Sequence, residues 1–222
     1  MLTALLLATG KFLSERELNR LLWGSRPPAT CDAQIYNHIS RLRKALGAGV
    51  ITARRGPAYQ LSTDGASFDL AEFEALAARG QVALRAGRWE DASGLLRAGL
   101  ARWRGPALAD VSEHLANAEG PRLEEIRVNA VESLIEAELA MGRHTQVLPE
   151  LTSLVARHPL RERFRAQLMT TLYRCDRQAE ALAVYEQSRR LLADELGIEP
   201  GLRLRDVHHA ILTADPALRC PA

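Results

Sequence analysis

Three six-residue segments share a pattern that marks the end of one helix and the start of another, and this pattern constrains the fold more than any other feature. The segments are residues 84–89, 139–144 and 172–177. Arg88, Arg143 and Arg177 occupy matching positions in the three segments, and an apolar residue (Ala92, Val147 or Ala181) follows each of them four positions later. The arginines of the last two segments, Arg143 and Arg177, lie 34 residues apart, a spacing typical of stacked helical hairpins. We therefore predict a helical repeat in this part of the chain.

The predicted helical domain extends over residues 68–213 and is followed by a tail over residues 214–222. Its period is that of tetratricopeptide repeats. The longer interval between the first two segments leaves room for one further helical segment, and we expect breaks at Gly105-Pro106 and Gly120-Pro121 because proline interrupts helices. Stacked helix pairs leave a surface free for partners, which favours a protein-interaction or dimerisation module. The residues expected in the repeat core are Trp89, Trp103 and Phe164.

The first 63 residues carry the signals of a smaller domain. An apolar helix is predicted over residues 2–8. Ser14 and Glu17 have the spacing of a capping box, in which each side chain satisfies the other residue's free backbone N–H. A second helix is therefore expected to begin there, and glycine favours its end at Trp23-Gly24.

A third helix is predicted from Thr30, as its cap, to Leu46. Ile35, Ile39, Leu42 and Leu46 recur at helical spacing and are expected to face a core. The opposite side contains no large hydrophobic residue and no acid, whereas an ordinary solvated face usually mixes Glu with Lys and Arg. Its side chains are of the types that bond base edges and phosphates. We call this side the outer face; its residues are Ala33, Gln34, Asn37, Ser40, Arg41 and Lys44.

Two short strands, residues 50–52 and 59–61, follow the third helix and enclose a turn. Arg54 and Arg55 lie near the tip of that turn. A hairpin after a helix-turn-helix is a wing, and arginines on a wing can enter the minor groove of DNA. The sequence therefore predicts a helix and a wing that contact DNA together.

The charge distribution supports this interpretation. The whole chain has a formal net charge of +2. Residues 1–65 contain nine basic and four acidic residues, so this part carries +5 and the remainder −3. A basic N-terminal part and a slightly acidic remainder are typical of a chain whose N-terminal part binds a polyanion.

Two parts of the sequence resemble a known family. The run Asn-His-Ile-Ser-Arg-Leu-Arg-Lys-Ala-Leu at residues 37–46, with the arginine-glycine hairpin that ends at Tyr59, resembles the OmpR/PhoB-type winged helix. Leu-Leu-Trp-Gly at residues 21–24 resembles the version found in the Streptomyces antibiotic regulatory protein family. The segments that resemble the bacterial transcriptional activation domain of that family are residues 68–73, 86–92, 181–186 and, most specifically, Glu-Leu-Gly-Ile-Glu-Pro at residues 195–200.

The resemblance implies a mainly α fold, with a winged helix in residues 1–63 and a tetratricopeptide-like activation domain in residues 68–213. The family's leading antiparallel sheet has no counterpart here, so we expect either a winged helix truncated at its N-terminus relative to the family or one that folds without that sheet. The family's wing has glycine before the tyrosine, where this chain has Ala58. In the family the third helix reads the major groove, and the matching positions here are Gln34, Asn37, Arg41 and Arg43, with Arg55 as the wing arginine.

We assign Arg43 to a phosphate because it lies to one side of the third helix, about 80° from Ile35 on a helical wheel with roughly 3.6 residues per turn. His38, near the core edge of the helix, is interpreted as a packed or phosphate-bonding group. The full set of predicted DNA contacts is Gln34, Asn37, His38, Ser40, Arg41, Arg43, Lys44, Arg54 and Arg55.

The resemblance further implies a transcriptional activator of a secondary-metabolite gene cluster. Such an activator binds direct repeats in double-stranded DNA as a homodimer and recruits RNA polymerase holoenzyme. The residues alone leave an alternative open: a repeat-based protein-interaction adaptor that has lost DNA binding.

The sequence contains no recognisable catalytic or metal-binding pattern. His208 and His209 are adjacent, which places them on different faces of a helix. Cys31, Cys175 and Cys220 form no C-x-x-C pair, and no apolar run is long enough to cross a membrane. We therefore expect no enzyme activity, no metal or other cofactor, no membrane partner, and a location in the reducing cytoplasm.

Overall fold

The computed structural model describes residues 1–218 of the 222-residue chain. The last four residues of the predicted tail, among them Cys220, lie outside the described residues. Packing divides the chain into two compact units. Unit 1 comprises Met1–Glu74 and Ala101–Arg127, and unit 2 comprises Ala75–Leu100 and the residues from Val128 onward.

The first 61 residues of unit 1 form a winged helix, as predicted. Its three strands pair antiparallel in the order β1-β3-β2, and in the described chain no strand precedes the first helix. The wing hairpin was predicted, but β1 was not, because a strand of two residues has no readable period. The elements are α1 (Leu2–Leu7), β1 (Leu13–Ser14), α2 (Glu15–Trp23), α3 (Cys31–Leu46), β2 (Ile51–Arg54) and β3 (Ala58–Leu61).

The predicted capping box begins α2. The Ser14 hydroxyl accepts a hydrogen bond from the backbone N–H of Glu17 (3.2 Å), and the Glu17 carboxylate accepts one from the backbone N–H of Ser14 (2.8 Å). The Ser14 hydroxyl also donates to the Glu17 carboxylate (2.6 Å), and this bond, followed by the one from the Ser14 backbone N–H, holds the pKa of Glu17 below its ordinary value. Thr30 precedes α3 as predicted, but the prediction that its side chain caps the helix is wrong. Thr30 (φ −98°, ψ 14°) lies outside the extended conformation typical of capping residues, and its hydroxyl accepts no bond from an N–H of the first turn.

The core of the winged helix lies between the helices and the sheet. Ile35 and Ile39 are buried as predicted, and Leu42 is partly buried against the same core. The prediction is wrong for Leu46, which is 45% exposed because α3 ends at this residue. Leu115, from the second segment of unit 1, is buried in this core beside side chains from all three helices and the sheet.

The predicted helical repeat is confirmed from Asp69 onward. Three helical turns end in one geometry: a residue in the left-handed region (Gly87, Gly142 or Asp176, at φ 71°, 74° and 59°) precedes an arginine whose N–H reaches back to the preceding helix. The N···O distances of these capping hydrogen bonds are 3.0, 2.9 and 2.9 Å. The helices are α4 (Asp69–Arg85), α5 (Trp89–Leu100), α6 (Glu113–Ala140), α7 (His144–Arg157), α8 (Glu162–Arg174), α9 (Gln178–Leu196) and α10 (Leu202–Leu212), followed by a short 3-10 helix (Pro216–Leu218).

Of the two predicted breaks, one exists. Gly105-Pro106 lies in the loop between α5 and α6, whereas Gly120-Pro121 lies inside α6, so the prediction of a break there is wrong. Glycine has no Cβ to collide with the proline ring that follows it, which lowers the cost of continuing the helix through this pair.

The predicted core aromatics have three different environments. Phe164 is fully buried in unit 2, as predicted, and Trp89 is only half-buried. Trp103 is not in the repeat core, which corrects the prediction. It lies in unit 1, where its ring meets the edge of Phe73 (5.3 Å between centroids, 89° between planes) and the guanidinium of Arg127 (5.2 Å). Among residues 1–218 no helix combines the length and apolar character that crossing a membrane requires.

Candidate nucleic-acid interface

The structure presents most of the predicted DNA contacts to solvent. Gln34 and Arg43 are half-buried, and the other seven of the nine are exposed. Seven of the nine lie on α3, two of them in its last turn; Arg54 ends β2, and Arg55 lies in the wing turn. The exposed contacts are Asn37, His38, Ser40, Arg41, Lys44, Arg54 and Arg55.

Burial of the opposite side fixes the orientation of α3. Ile35 and Ile39 are at most 1% exposed, so rotation of the helix about its axis would expose both side chains to water. The outer face is therefore held outward by the core beneath it. A rigid helix with a fixed polar face is what reading the edges of base pairs in the major groove requires.

The positive charges of this surface are not neutralised within the chain. The ion pairs seen in the structure join residues between Asp69 and Arg203. In the described part of the chain, none of Arg41, Lys44, Arg54 and Arg55 forms one. A polyanion that meets this surface would gain attraction without first breaking an internal ion pair.

Arg43 has a structural contact that its sequence position did not indicate. It lies to one side of α3, as expected, and its Nε and Nη2 both donate to the main-chain carbonyl of Ile51, at 3.1 and 2.9 Å. These bonds tie α3 to the first strand of the wing. Because two of its nitrogens are engaged there, the structure gives Arg43 a positioning role that the predicted phosphate contact would have to share.

Gln34 and His38 also have environments that the sequence did not specify. The Gln34 amide donates to the Thr30 hydroxyl at 2.9 Å, so its side chain must exchange this bond to reach a base. His38 is exposed, so the prediction that it packs against the core is wrong. Of the two interpretations given for His38, only the hydrogen bond to a phosphate is compatible with this exposure.

The wing is shorter at its tip than predicted. Arg54 and Ala58 pair directly across the hairpin, so the turn contains only Arg55, Gly56 and Pro57. Gly56 adopts the positive φ (82°) that the turn requires, while Ala58 is an extended strand residue. This explains how the hairpin closes with alanine before the tyrosine.

Tyr59 fixes the base of the wing. Its hydroxyl donates to the Glu15 carboxylate at 3.3 Å, and the backbone N–H of Glu15 donates to the carbonyl of Pro57 at 3.0 Å. Burial, with a smaller contribution from Glu15, raises the pKa of Tyr59. The tyrosine therefore stays neutral and holds the wing to the start of α2.

Sequence reasoning missed Tyr36. Its side chain is 66% exposed on α3, one helical turn before Ser40. It belongs neither to the apolar stripe nor to the polar outer face, so no periodic signal marked it. An exposed phenol beside this face can donate a hydrogen bond to a phosphate or pack on a base, and Tyr36 joins the candidate interface.

The arrangement of the His, Cys, Asp and Glu side chains decides whether the described residues could hold a metal ion. No group of three or more His, Cys, Asp or Glu side chains in residues 1–218 is arranged to hold a metal ion. His208 instead stacks on Tyr185, with centroids 3.8 Å apart and planes 4° from parallel.

Two family models together match nearly the whole chain. Residues 1–61 match the family described as "Transcriptional regulatory protein, C terminal", and residues 68–212 match the "Bacterial transcriptional activator domain". The boundary between these matches differs from the division by packing, since residues 101–127 belong to the second match and to unit 1.

Individual relatives have the same two parts. The chain is 43% identical over 222 residues to regulatory protein AfsR of Streptomyces griseus, covering all of this chain and 23% of AfsR. It is 38% identical over 208 residues to regulatory protein DnrI of Streptomyces peucetius, covering 89% of this chain and 76% of DnrI. A solved structure of Mycobacterium tuberculosis EmbR in complex with a low-affinity phosphopeptide matches with a TM-score of 0.88 and 37% identity, covering 97% of this chain and 58% of that one. This chain thus spans less than a quarter of the length of AfsR.

Proposed function

Because the chain belongs to the Streptomyces antibiotic regulatory protein family, we propose that it is a sequence-specific DNA-binding transcriptional activator of a secondary-metabolite gene cluster. One observation carries the proposal: the outer face of α3 is exposed except at Gln34 and free of acid, and its cations Arg41 and Lys44 form no ion pair within the described residues. Elsewhere in the described chain, arginines commonly pair with carboxylates.

The outer face supplies the contacts that discriminate bases. Arg41 and Asn37 project from the exposed side of α3 and have the donor and acceptor groups that read guanine and adenine in the major groove. Gln34 joins them once its amide leaves Thr30. Lys44 binds phosphate as a point charge, and Ser40 and His38 donate to the backbone.

The wing supplies the second contact. Arg55, at the tip, enters the minor groove, and Arg54, at the end of β2, binds the neighbouring phosphate. Arg43 keeps the wing and α3 in register through Ile51, so the two DNA-contacting elements act as one rigid surface.

Two copies would occupy direct repeats whose centres are about one helical turn apart, and the helical repeats would hold the pair together and contact RNA polymerase holoenzyme. Head-to-tail binding gives each copy the same set of DNA contacts. The free surface of stacked helical hairpins is suited to both protein contacts.

A comparison of two variants tests the assignment. Arg41→Ala should weaken binding to the specific site by roughly 5- to 150-fold and relax its sequence preference, since a base contact is lost. Lys44→Ala should weaken binding to all sequences alike and reduce the salt dependence, since a phosphate contact is lost. Fluorescence anisotropy on the promoters flanking the gene, at several salt concentrations, measures both effects.

Arg190→Ala is the matched control, because Arg190 is an exposed arginine of α9, outside the proposed interface. It should bind DNA like the parent. If Arg41→Ala and Lys44→Ala also bind like the parent, the assignment of α3 is wrong. If the parent shows no salt-dependent binding to any duplex, the chain acts as an adaptor through protein contacts.

A further inference from the structure

Large aliphatic side chains are exposed at one end of unit 2, where two turns meet. The backbone N–H of Gly201, just before α10, donates to the carboxylate of Glu162, the first residue of α8 (2.7 Å). This bond brings the turn between α9 and α10 beside the turn between α7 and α8. We call the surface the end patch; its apolar residues are Leu160, Leu196, Ile198 and Leu202, of which Leu202 is 71% exposed and the others about half-exposed. Exposed aliphatic residues that lie together mark surfaces that bind partners.

Three exposed acids, Asp194, Glu195 and Glu199, border the end patch. None of them forms an ion pair among residues 1–218. Asp194 and Glu195 lie in the last turn of α9, where the helix dipole disfavours negative charge, and no basic residue in that turn offsets them. The acids therefore contribute nothing to the stability of α9, and their charge is available to a basic partner.

A second surface of unit 2 has the opposite charge. Ala75, Ala78 and Val82 recur at helical spacing on the exposed side of α4, and Val82 is 52% exposed. Arg79 and Arg85 lie on either side of Val82 on a helical wheel with roughly 3.6 residues per turn, and both are exposed. Neither arginine forms an ion pair in the described chain, and residues 75–86 contain no acid. We call this surface the α4 face.

The symmetry of direct repeats requires two different surfaces for a contact between copies. Copies on direct repeats are related by a shift along the DNA and not by a two-fold axis, so any contact between them is heterologous. This step rests on the proposed function. Contact of the end patch with itself would bring acid against acid, and contact of the α4 face with itself would bring arginine against arginine. Charge complementarity therefore favours the end patch against the α4 face.

We infer that the end patch of one copy of this chain docks on the α4 face of the next copy. Ile198 and Leu202 pack against Val82, and the acids of the end patch lie against Arg79 and Arg85. The contact buries aliphatic side chains that are exposed in a single copy, and it neutralises charges that the single copy leaves unpaired. Each pair of copies keeps one free end patch and one free α4 face, so further copies can add.

Sedimentation equilibrium of the full chain at low salt, without DNA, tests the contact. The average mass of the parent should rise with protein concentration beyond that of a dimer, and added salt should lower it. Two charge-reversed variants should each associate roughly tenfold or more weakly than the parent, because like charges would meet. The first combines Glu195→Arg with Glu199→Arg, and the second combines Arg79→Glu with Arg85→Glu.

An equal mixture of the two charge-reversed variants provides the sharper measurement. Each variant alone has one sign of charge on both surfaces, but in the mixture each surface meets its opposite on the other variant. The mixture should therefore associate about as strongly as the parent. Glu150→Arg, at an exposed acid of α7 outside both surfaces, is the control and should also associate like the parent. Thermal unfolding of each variant confirms that it folds.

The inference is overturned if the parent stays monomeric at every concentration, since the end patch would then serve another protein. It is equally overturned if either charge-reversed variant associates like the parent, or if their mixture associates no better than each alone. A parental mass that levels off at the dimer would indicate a closed two-fold contact and overturn the head-to-tail arrangement. Because these measurements contain no DNA, their failure would leave the proposed DNA binding standing, and the anisotropy titrations test that binding separately.

Discussion

The guanidinium of Arg43 on α3 donates two hydrogen bonds to one acceptor, the main-chain carbonyl of Ile51 on β2. α3 and the wing are adjacent in sequence and are joined by a short loop, residues 47–50. The two bonds supply a direct link between the elements that would enter the two grooves of DNA.

Arg43→Lys should weaken this link without removing the positive charge. Lysine has a single ammonium group and cannot present two donors in the planar arrangement that arginine has. We expect unit 1 to lose about 1 kcal/mol of unfolding free energy, the contribution of one partly buried hydrogen bond. Binding to DNA should weaken for all sequences, while its salt dependence stays that of the parent because the charge is retained.

Urea unfolding and anisotropy titrations at several salt concentrations measure these two effects. Lys44→Arg is the matched control, since Lys44 is exposed on the same helix and should tolerate the exchange. If Arg43→Lys has the same unfolding free energy as the parent, Arg43 does not position the wing. If its DNA binding also depends less on salt than that of the parent, Arg43 contacts phosphate instead.

The second prediction concerns Leu115, which lies far along the chain from the winged helix and completes its core. It is 1% exposed and packs with that core, and the neighbouring Ser112 hydroxyl donates to the carbonyl of Leu21 at the end of α2 (3.1 Å). Leu115→Ala should lower the unfolding free energy of unit 1 by about 2–5 kcal/mol, since it leaves a cavity.

Trp23 lies against the same core and reports the transition by its fluorescence in urea. Leu212→Ala is the control: that leucine is 57% exposed, so its loss should cost under about 0.5 kcal/mol. If Leu115→Ala unfolds at the same urea concentration as the parent, the winged helix is stable without the 101–127 segment.

The sequence predicts the features that depend on neighbouring residues. The capping box of Ser14 and Glu17, the polar outer face of α3 and the three helical turns follow from spacing along one element, and the structure contains them. The features it misses are long-range. β1 exists only because Leu13 finds Tyr59 across the sheet, and the contact of Arg43 depends on where β2 lies.

Predictions made from a single residue type also fail where the neighbouring residues determine the local structure. Proline predicts a break at Pro121, but the preceding glycine lets α6 continue. A tryptophan predicts repeat core, but Trp103 lies between Phe73 and Arg127 and lines a cavity of unit 1. For the candidate interface, the sequence predicted an outward polar face on α3, but it missed the exposed Tyr36 and could not show that Gln34 and Arg43 have bonding partners in the chain.

Glu138 gives a pH-dependent prediction for unit 2. Its carboxylate is 1% exposed; it accepts a hydrogen bond from the Ser93 hydroxyl and lies 3.3 Å from both Arg97 and Arg143. Burial alone would raise its pKa, but the Ser93 bond and the two arginines outweigh burial and hold the pKa below the ordinary value of 4.5.

The sign follows from linkage. Since the pKa of Glu138 is lower in the folded chain than in the unfolded one, ionised Glu138 stabilises the fold fully above about pH 4.5, and this contribution is lost as the pH falls through the folded value. Glu138→Gln should therefore lower the unfolding free energy by about 1–3 kcal/mol at pH 7. The lower value applies if solvent screens the two half-exposed arginines.

Thermal unfolding of the parent and of Glu138→Gln between pH 7 and pH 3 should show a gap in melting temperature that narrows below pH 4.5. Glu90→Gln, on the exposed surface of α5, is the control and should leave the melting temperature close to that of the parent at every pH. A gap for Glu138→Gln that is the same at pH 7 and pH 3 would show that shape and hydrogen bonding, and not the ionised carboxylate, hold this part of unit 2 together.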